Sequence, residues 1–199
     1  QLRKDQESWK QQEFGVVGLR LLKELNGYKC YDLEDEITQR KNTMVSRSFK
    51  QDVHELPELK EKVATFASRL GEKLRQYNQT AKVITIYLWI NRYKNKRKDG
   101  RTCFVRTIEL QLSTANTNEL IRYALVVVES LFEKGNNYKK AGILATELST
   151  KSVLQTNLFH SEATTLKSKK VILAMDSINQ KLGRNTVHFA AMGTQQKHM

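Results

Sequence analysis

The chain has 199 residues, enough for one well-buried domain with extensions or for two small domains, which excludes a large multidomain enzyme. Lys and Arg number 34 against 21 Asp and Glu, and the resulting net charge of +13 attracts polyanions such as nucleic acid or an anionic membrane surface. No apolar run reaches the roughly 20 residues of a membrane-spanning helix, and the N-terminus lacks the apolar core of a signal peptide. We therefore expect a cytoplasmic protein with a polyanionic partner.

The N-terminal part of the chain is predicted to be helical. Apolar residues between positions 6 and 25 recur mostly at steps of three and four, with interruptions at Gly15 and Gly18. Asn26-Gly27 is typical of a helix C-terminus. The pattern indicates one or two short helices.

A change in composition marks the end of this first segment. An acidic cluster at 32–36 is followed by basic residues at 40–41, which suits a linker between domains. The chain also begins without Met, inside a polar stretch that is compatible with a helix, so we expect a fragment of a longer protein. We assign residues 1–38 to the helical segment and its linker, and residues 39–150 to the next domain.

This middle domain is predicted to be α+β. Its elements in chain order are a strand at 42–50, a helix at 57–77, strands at 82–90 and 103–112, a helix at 120–134 and a strand at 138–148. The second strand alternates clearly, with Ile84, Ile86, Leu88 and Ile90 on one face and Val83, Thr85, Tyr87 and Trp89 on the other. The order βαββαβ predicts a split βαβ fold, in which a four-stranded antiparallel sheet carries two helices on one face.

Beyond residue 150 the chain becomes polar. A third amphipathic helix is predicted at 169–182, closed by Gly183, with a candidate strand at 186–191. We therefore expect a linker at 151–165 and a small C-terminal module of unknown function at 166–199.

The loop between the second and third strands concentrates positive charge around one acid, Asp99, beside the aromatic side chains of Tyr87, Trp89 and Tyr93. Its cations are Arg92, Lys94, Lys96, Arg97, Lys98 and Arg101. Such a patch can neutralise phosphates, and the aromatics can pack on sugar or base. A solvated loop without a partner is the alternative.

The sheet face that carries no helix should stay open and present Thr85 and Tyr87. A sheet laid along a duplex contacts mainly phosphates and sugars, which carry no sequence information. Binding through this face is therefore expected to be independent of sequence.

Several stretches resemble a known family. SRSF at 46–49 and YKKAGI at 138–143 resemble the little-finger domain of Y-family DNA polymerases, and residues 17–27 resemble the thumb helix that precedes it. Residues 175–179 and 183–193 are similar to the C-terminal extension of the bacterial UmuC group, the catalytic subunit of DNA polymerase V. The resemblance covers nearly the whole chain.

In that family the little finger grips primer-template DNA across the major groove. The resemblance implies that Ser46, Arg47 and Ser48 lie on phosphates, whereas an ordinary edge strand with exposed serines is the alternative. Charge and position add further candidates for DNA contact, namely Lys82, Tyr87, Lys139, Lys140 and the cations of the loop.

The sequence QTNLF at 155–159 resembles the short peptide by which bacterial polymerases dock on the sliding clamp. The resemblance implies that Gln155 enters a polar pocket while Leu158 and Phe159 fill an apolar one. Thr156 departs from the pattern, since Leu is usual there. A buried strand end is the alternative.

The carboxylates that a polymerase needs to hold two Mg²⁺ ions are missing from the sequence. Because the acidic run at 32–36 has no organised scaffold, we expect a non-catalytic fragment without a cofactor of its own. Cys30 and Cys103 form no metal-type pair with the histidines, so neither structural zinc nor a disulfide framework is expected. The resemblance implies that the intact parent is a DNA-directed DNA polymerase with Mg²⁺ in its palm.

The resemblance further implies a nucleoid-associated role in translesion synthesis and SOS mutagenesis, with damaged DNA, the sliding clamp and an UmuD-like accessory protein as candidate partners. A stand-alone module for RNA or single strands remains an alternative, although the RNP-type aromatic signature is absent. A protein-binding adaptor that uses Phe159 and the tail helix is a third.

Overall fold

A computed structural model of the chain describes residues 2–32, 40–94, 99–150 and 162–193, with side chains described from residue 14 in the first helix and from residue 167 in the last. The chain forms two compact units, Gln1–Gln39 and Arg40–Met199. No helix within the described ranges is both long and apolar enough to cross a membrane.

The described part of the first unit contains one kinked helix, α1 (Leu2–Leu25). The kink is at Gly15, whose φ of 63° and ψ of −169° are non-helical and are open only to a residue without a side chain. The helix ends where the Gly27 N–H donates to the Glu24 carbonyl at 2.9 Å. The predicted interruption at Gly15 is thus present as a kink, whereas the helix continues through Gly18.

The second unit contains the sheet. Its elements are β1 (Thr43–Val53), α2 (Leu56–Gln76), β2 (Gln79–Ile90), β3 (Cys103–Thr114), α3 (Thr117–Leu131), β4 (Tyr138–Thr150), α4 (Glu162–Leu182) and a 3₁₀ turn (Ala190–Met192). The strand order is β1-β4-β2-β3, and every neighbouring pair is antiparallel. Each βαβ crossover therefore straddles one strand, which confirms the predicted split βαβ sheet.

The core lies between the sheet and α2 and α3. Ile84, Ile86 and Leu88 of β2 are fully buried, and they pair with Ala145, Ile143 and Ala141 of β4. Burying an aliphatic side chain of this size stabilises the fold by about 1.5–3 kcal/mol. The period-2 pattern of β2 thus determines which sheet face receives the helices.

Helix α2 supplies the largest share of the core. Its apolar stripe recurs every three or four residues, and Phe66 stacks on Phe49 of β1 with ring centroids 6.4 Å apart. Helix α3 begins at Asn116, whose side chain accepts a hydrogen bond from the Asn118 N–H at 3.0 Å.

Helix α4 and the turn after it belong to the same compact unit as the sheet. Arg75 of α2 donates to Asp176 of α4 through Nε at 2.6 Å and Nη2 at 2.8 Å. Its Nη1 also donates to the Ala115 carbonyl at 2.7 Å and the Thr117 hydroxyl at 2.8 Å. One guanidinium thus joins α2, α4 and the start of α3.

The strand expected at 186–191 is wrong, because this segment forms a turn and the 3₁₀ helix. The Val187 N–H donates to the Asn179 side chain and the Val187 carbonyl accepts from it, both at 2.9 Å. Its backbone groups therefore have a side-chain partner in place of a neighbouring strand. Phe189 and Met192 pack on the core, which accounts for the apolar residues that suggested a strand.

Candidate nucleic-acid interface

Two rows of side chains cross the open face, defined here as the sheet face opposite α2 and α3. Cross-strand pairing places Ser46, Gly142, Tyr87 and Val105 in the first row and Ser48, Lys140, Trp89 and Cys103 in the second. Both rows follow from the alternation of each strand, since the neighbours of these residues in the chain lie on the helix side of the sheet. Hydroxyl, aromatic and ammonium groups thus share one surface.

The first row is organised around Tyr87. Gly142 lies beneath the Tyr87 ring, and a Cβ at position 142 would overlap the phenol and come within 2.7 Å of the Ser46 Cβ. The Tyr87 hydroxyl donates to the Met44 sulfur at 3.1 Å. The ring is thereby held against the sheet, between β1 and β2.

The second row is more exposed. Trp89 has 43% of its surface exposed, and its cross-strand partner Lys140 is half-buried beside the exposed Ser48. The alternation of β2 predicted Trp89 on the same face as Tyr87, and the structure places it there beside Lys140. An indole next to an ammonium and a hydroxyl can contact a sugar while the cation contacts a phosphate.

Arg47 lies on the other side of β1 from its two neighbours. It lies two positions from Val45 and from Phe49, which are buried in the core, and residues at this spacing share one face of a strand. Arg47 is therefore on the helix side of the sheet. The predicted trio is therefore divided, with Ser46 and Ser48 on the open face and Arg47 beside α2. Because β1 is an edge strand, solvent reaches both sides of it.

The loop after β2 is anchored to the end of β1. Lys94 Nζ lies 2.8 Å from Asp52 Oδ2, and the Asn91 amide donates to the same oxygen at 3.0 Å. Burial favours the neutral form of Asp52, but the hydrogen bonds from Lys94 and Asn91 and the positive charges of Lys94 and His54 together outweigh it, so that the pKa of Asp52 lies below its ordinary value. Lys94 therefore joins the first residues of the loop to the end of β1.

Arg92 and Arg101, at the two ends of the described part of this loop, are exposed. The Arg101 guanidinium lies 5.8 Å from the centre of the Phe104 ring. Lys96 and Arg97 lie outside the described residues and remain predictions.

Lys82 has partners within the sheet. Its ammonium donates to the carbonyls of Leu110 at 2.7 Å and Gln111 at 3.0 Å and lies 3.2 Å from the Glu109 carboxylate. It occupies the point where the β2–β3 register shifts between Ala81 and Val83. Lys82 thus has a structural role, and its contact with DNA remains a prediction.

Lys139 and Lys140 are separated by an irregularity in β4. Trp89 pairs with Lys140 and Ile90 with Tyr138, which leaves Lys139 as the extra residue of a bulge. Lys139 lines a shallow groove together with Lys50 and Lys94. The sequence pattern missed Lys50, which the end of β1 brings to this groove.

The described part of the chain contains no group of three or more His, Cys, Asp or Glu side chains placed to hold a metal ion. Burial raises the pKa of the Cys103 thiol.

The peptide that resembles a clamp-docking sequence, with Gln155, Leu158 and Phe159, lies outside the described residues.

Residues 40–158, more than half of the chain, match the model of the impB/mucB/samB family C-terminal domain. The chain belongs to the impB/mucB/samB family. Residues 169–199 match a second model, a domain of unknown function named DUF4113. The family assignment drawn from the stretches at 46–49 and 138–143 is thus confirmed.

Curated members of the impB/mucB/samB family match nearly all of the chain. Protein UmuC of Salmonella typhimurium is 28% identical over 97% of the chain and 46% of its own length. Protein MucB of Salmonella typhimurium is 31% identical over 90% of the chain and 42% of its own length, and Protein ImpB is 27% identical over 91% and 42%. The chain spans less than half the length of these relatives.

Proposed function

We propose that this chain is the DNA-gripping, non-catalytic C-terminal part of a Y-family translesion polymerase. The observation that carries the proposal is the open face, where two cross-strand rows bring serine hydroxyls, Tyr87, Trp89 and Lys140 together on a sheet face opposite the packed helices. The net charge of +13 draws this surface toward a polyanion.

The proposed mechanism is attachment to the DNA backbone. Ser46 and Ser48 donate hydroxyl hydrogens to phosphate oxygens, and Lys140 supplies a positive charge in the same rows. Arg92 and Arg101, with Lys96 and Arg97, extend the contact to flanking phosphates. Because these groups reach the backbone rather than base edges, the grip tolerates any sequence, which suits a polymerase that copies past lesions.

The intact parent would be a DNA-directed DNA polymerase acting in SOS mutagenesis, and its Mg²⁺-binding carboxylates would lie outside this chain. The peptide with Gln155, Leu158 and Phe159 would tether the parent to the sliding clamp. Such a tether makes DNA binding effectively intramolecular and raises the local concentration of the little finger at the primer end. An UmuD-like accessory protein remains a further proposed partner.

Fluorescence anisotropy with primer-template DNA, single-stranded DNA and RNA over a salt series tests the DNA grip. The test variant combines Ser46→Ala, Ser48→Ala and Lys140→Ala, and the control is Arg122→Ala, which removes one exposed charge from α3 on the helix side of the sheet. We expect preference for primer-template, with the salt slope reduced in the test variant by about 0.9 for each phosphate that is no longer neutralised.

An equal change in the control would contradict the role of the open face. Tighter binding to RNA or to single strands would favour a stand-alone single-strand module in which Trp89 stacks on bases. If the chain bound no nucleic acid, the remaining hypothesis would be that it is a protein-binding adaptor.

A further inference from the structure

A cavity of about 350 Å³ lies on the helix side of β1, between that strand, α2, α4 and the turn that follows α4. Arg47 lines it from β1, Arg69 from α2 and Arg184 from the turn. Two of these elements belong to the sheet domain, and the third belongs to the stretch matched by the domain of unknown function.

Positive charge exceeds negative charge around this cavity. Its lining holds five Arg and Lys side chains, Arg47, Arg69, Lys73, Arg75 and Arg184, against the two carboxylates Glu72 and Asp176. Asp176 is already bound by Nε and Nη2 of the Arg75 guanidinium. Among the described lining residues, Glu72 alone therefore faces the remaining cations.

Among the described residues, three of these cations have no partner of their own. Within those ranges, the side chains of Arg47, Arg69 and Arg184 make neither a hydrogen bond nor an ion pair with any residue. Burial, then the charges of Arg47 and Arg184, lower the pKa of the Arg69 side chain, and the charge of Glu72 offsets this only in part. Arg69 therefore lies near enough to Arg47 and Arg184 to be repelled by both. A protein that holds such a cluster without an anion sacrifices stability, and a bound anion would restore it.

The turn that carries Arg184 is held in place. Gly183 follows the last residue of α4 with a φ of 104°, which a residue with a side chain rarely adopts. The Thr186 hydroxyl donates to the Gly183 carbonyl at 2.8 Å, and the Asn179 side chain binds both backbone groups of Val187 at 2.9 Å. Arg184 is thus positioned at the cavity by bonds on both sides of it.

We propose that Arg47, Arg69 and Arg184 form a phosphate-binding site shared by the sheet domain and the C-terminal tail. The ligand is a phosphate group, either of a DNA strand that passes the edge of β1 or of a free phosphate compound. In the first case the inference deepens the proposed DNA grip, because β1 would be held by Ser46 and Ser48 on one side and by the arginines on the other. In the second case it stands independently of that function.

The first experiment measures thermal unfolding of the full chain with increasing inorganic pyrophosphate, against chloride at equal ionic strength. We expect pyrophosphate to raise the Tm of the wild type and of Lys181→Ala, an exposed tail charge outside the cavity, and not of Arg184→Ala. Arg184 is exposed, so its loss should leave the fold intact, and Arg69→Gln provides a second variant at the half-buried α2 side of the site.

The second experiment compares the salt slopes of primer-template binding for the same variants. A slope lower by about 0.9 in Arg184→Ala than in Lys181→Ala identifies the phosphate as one of a DNA strand. An unchanged slope with a pyrophosphate-dependent Tm identifies a free phosphate compound, and both results support the site. No pyrophosphate-dependent Tm together with equal slopes overturns it. If the wild type fails to bind DNA, the proposed function fails and the Tm experiment alone decides on the site.

Discussion

Tyr87 of β2 covers Gly142, its partner on β4, so closely that the sheet has no room for a side chain at position 142. We expect Gly142→Ala to displace the Tyr87 ring and to push against Ser46, with a loss of about 1–3 kcal/mol of stability and weaker DNA binding. Urea denaturation and anisotropy measure the two effects. In a Tyr87→Ala background the same substitution should cost less, because the phenol has gone; equal costs in both backgrounds would exclude the contact as the cause.

The ion pair between Arg75 and Asp176 should stabilise the tail on the sheet domain. Arg75 is only 12% exposed, and Asp176→Asn would leave its charge partly buried without a counter-charge. We expect a loss of roughly 2–3 kcal/mol in the free energy of unfolding by urea. Glu129→Gln is the control, since the Lys60–Glu129 pair is more exposed and should contribute less than about 1 kcal/mol. Equal losses would mean that burial of Arg75 has no energetic consequence.

These residues show where sequence patterns suffice and where they do not. The alternation of β2 and the apolar stripe of α2 predicted the sheet and its two faces, because both depend on neighbours a few positions apart. Arg75 and Asp176 are 101 positions apart, and nothing local marks them as partners. Val187 belongs to a strand-like pattern in the sequence, yet its backbone N–H and carbonyl are hydrogen-bonded to the Asn179 side chain instead of to a neighbouring strand.

The residues of the candidate site also fall into those that local sequence patterns can place and those that they cannot. The alternation of β2 alone was enough to predict Trp89 on the open face. The orientation of Arg47 depends on which face of β1 is buried. Apolar and polar residues alternate too poorly in the sequence of this strand to predict its buried face. Arg184 reaches the cavity only because the tail folds back onto α2, which requires tertiary contacts that no spacing rule reveals.

Asp52 should make stability depend on pH in acid. Its pKa is lowered in the folded state relative to the ordinary value of 3.8, so its contribution is complete above that pH and is lost as the pH falls toward the folded value. We expect the difference in unfolding free energy between the wild type and Asp52→Asn to be constant near neutrality and to shrink below about pH 4. Lys94→Ala should reduce this pH dependence, since Lys94 stabilises the carboxylate. A difference that grows on acidification would contradict the assignment.

Docking on the sliding clamp should depend on the apolar pair at the end of the peptide. Leu158→Ala with Phe159→Ala should weaken binding to a bacterial sliding clamp by about 30-fold or more in surface plasmon resonance, without changing DNA affinity. Val153→Ala with Leu154→Ala removes two apolar side chains from the same segment and serves as the control. Because the family pattern has Leu where this chain has Thr156, Thr156→Leu should bind more tightly. Clamp binding that survives the first double substitution would place the contact elsewhere.

Lys82 and Lys140 are both candidates for DNA contact from the sequence, but their substitutions should have different effects on stability and DNA binding. Lys82 donates to the carbonyls of Leu110 and Gln111, whereas Lys140 lies in the second row of the open face. Lys82→Met should therefore cost about 1 kcal/mol of stability and leave the salt slope of DNA binding nearly unchanged.

Lys140→Met should do the reverse, with near-native stability and a salt slope lower by about 0.9, because its ammonium lies on the open face, where a phosphate can reach it. Both variants remove one positive charge and keep an unbranched side chain, so the overall change in charge cannot explain a difference between them. Urea denaturation and anisotropy on the same preparations measure it. Equal slopes for the two variants would mean that the protein attracts DNA by its net charge, and that the open face does not grip the backbone.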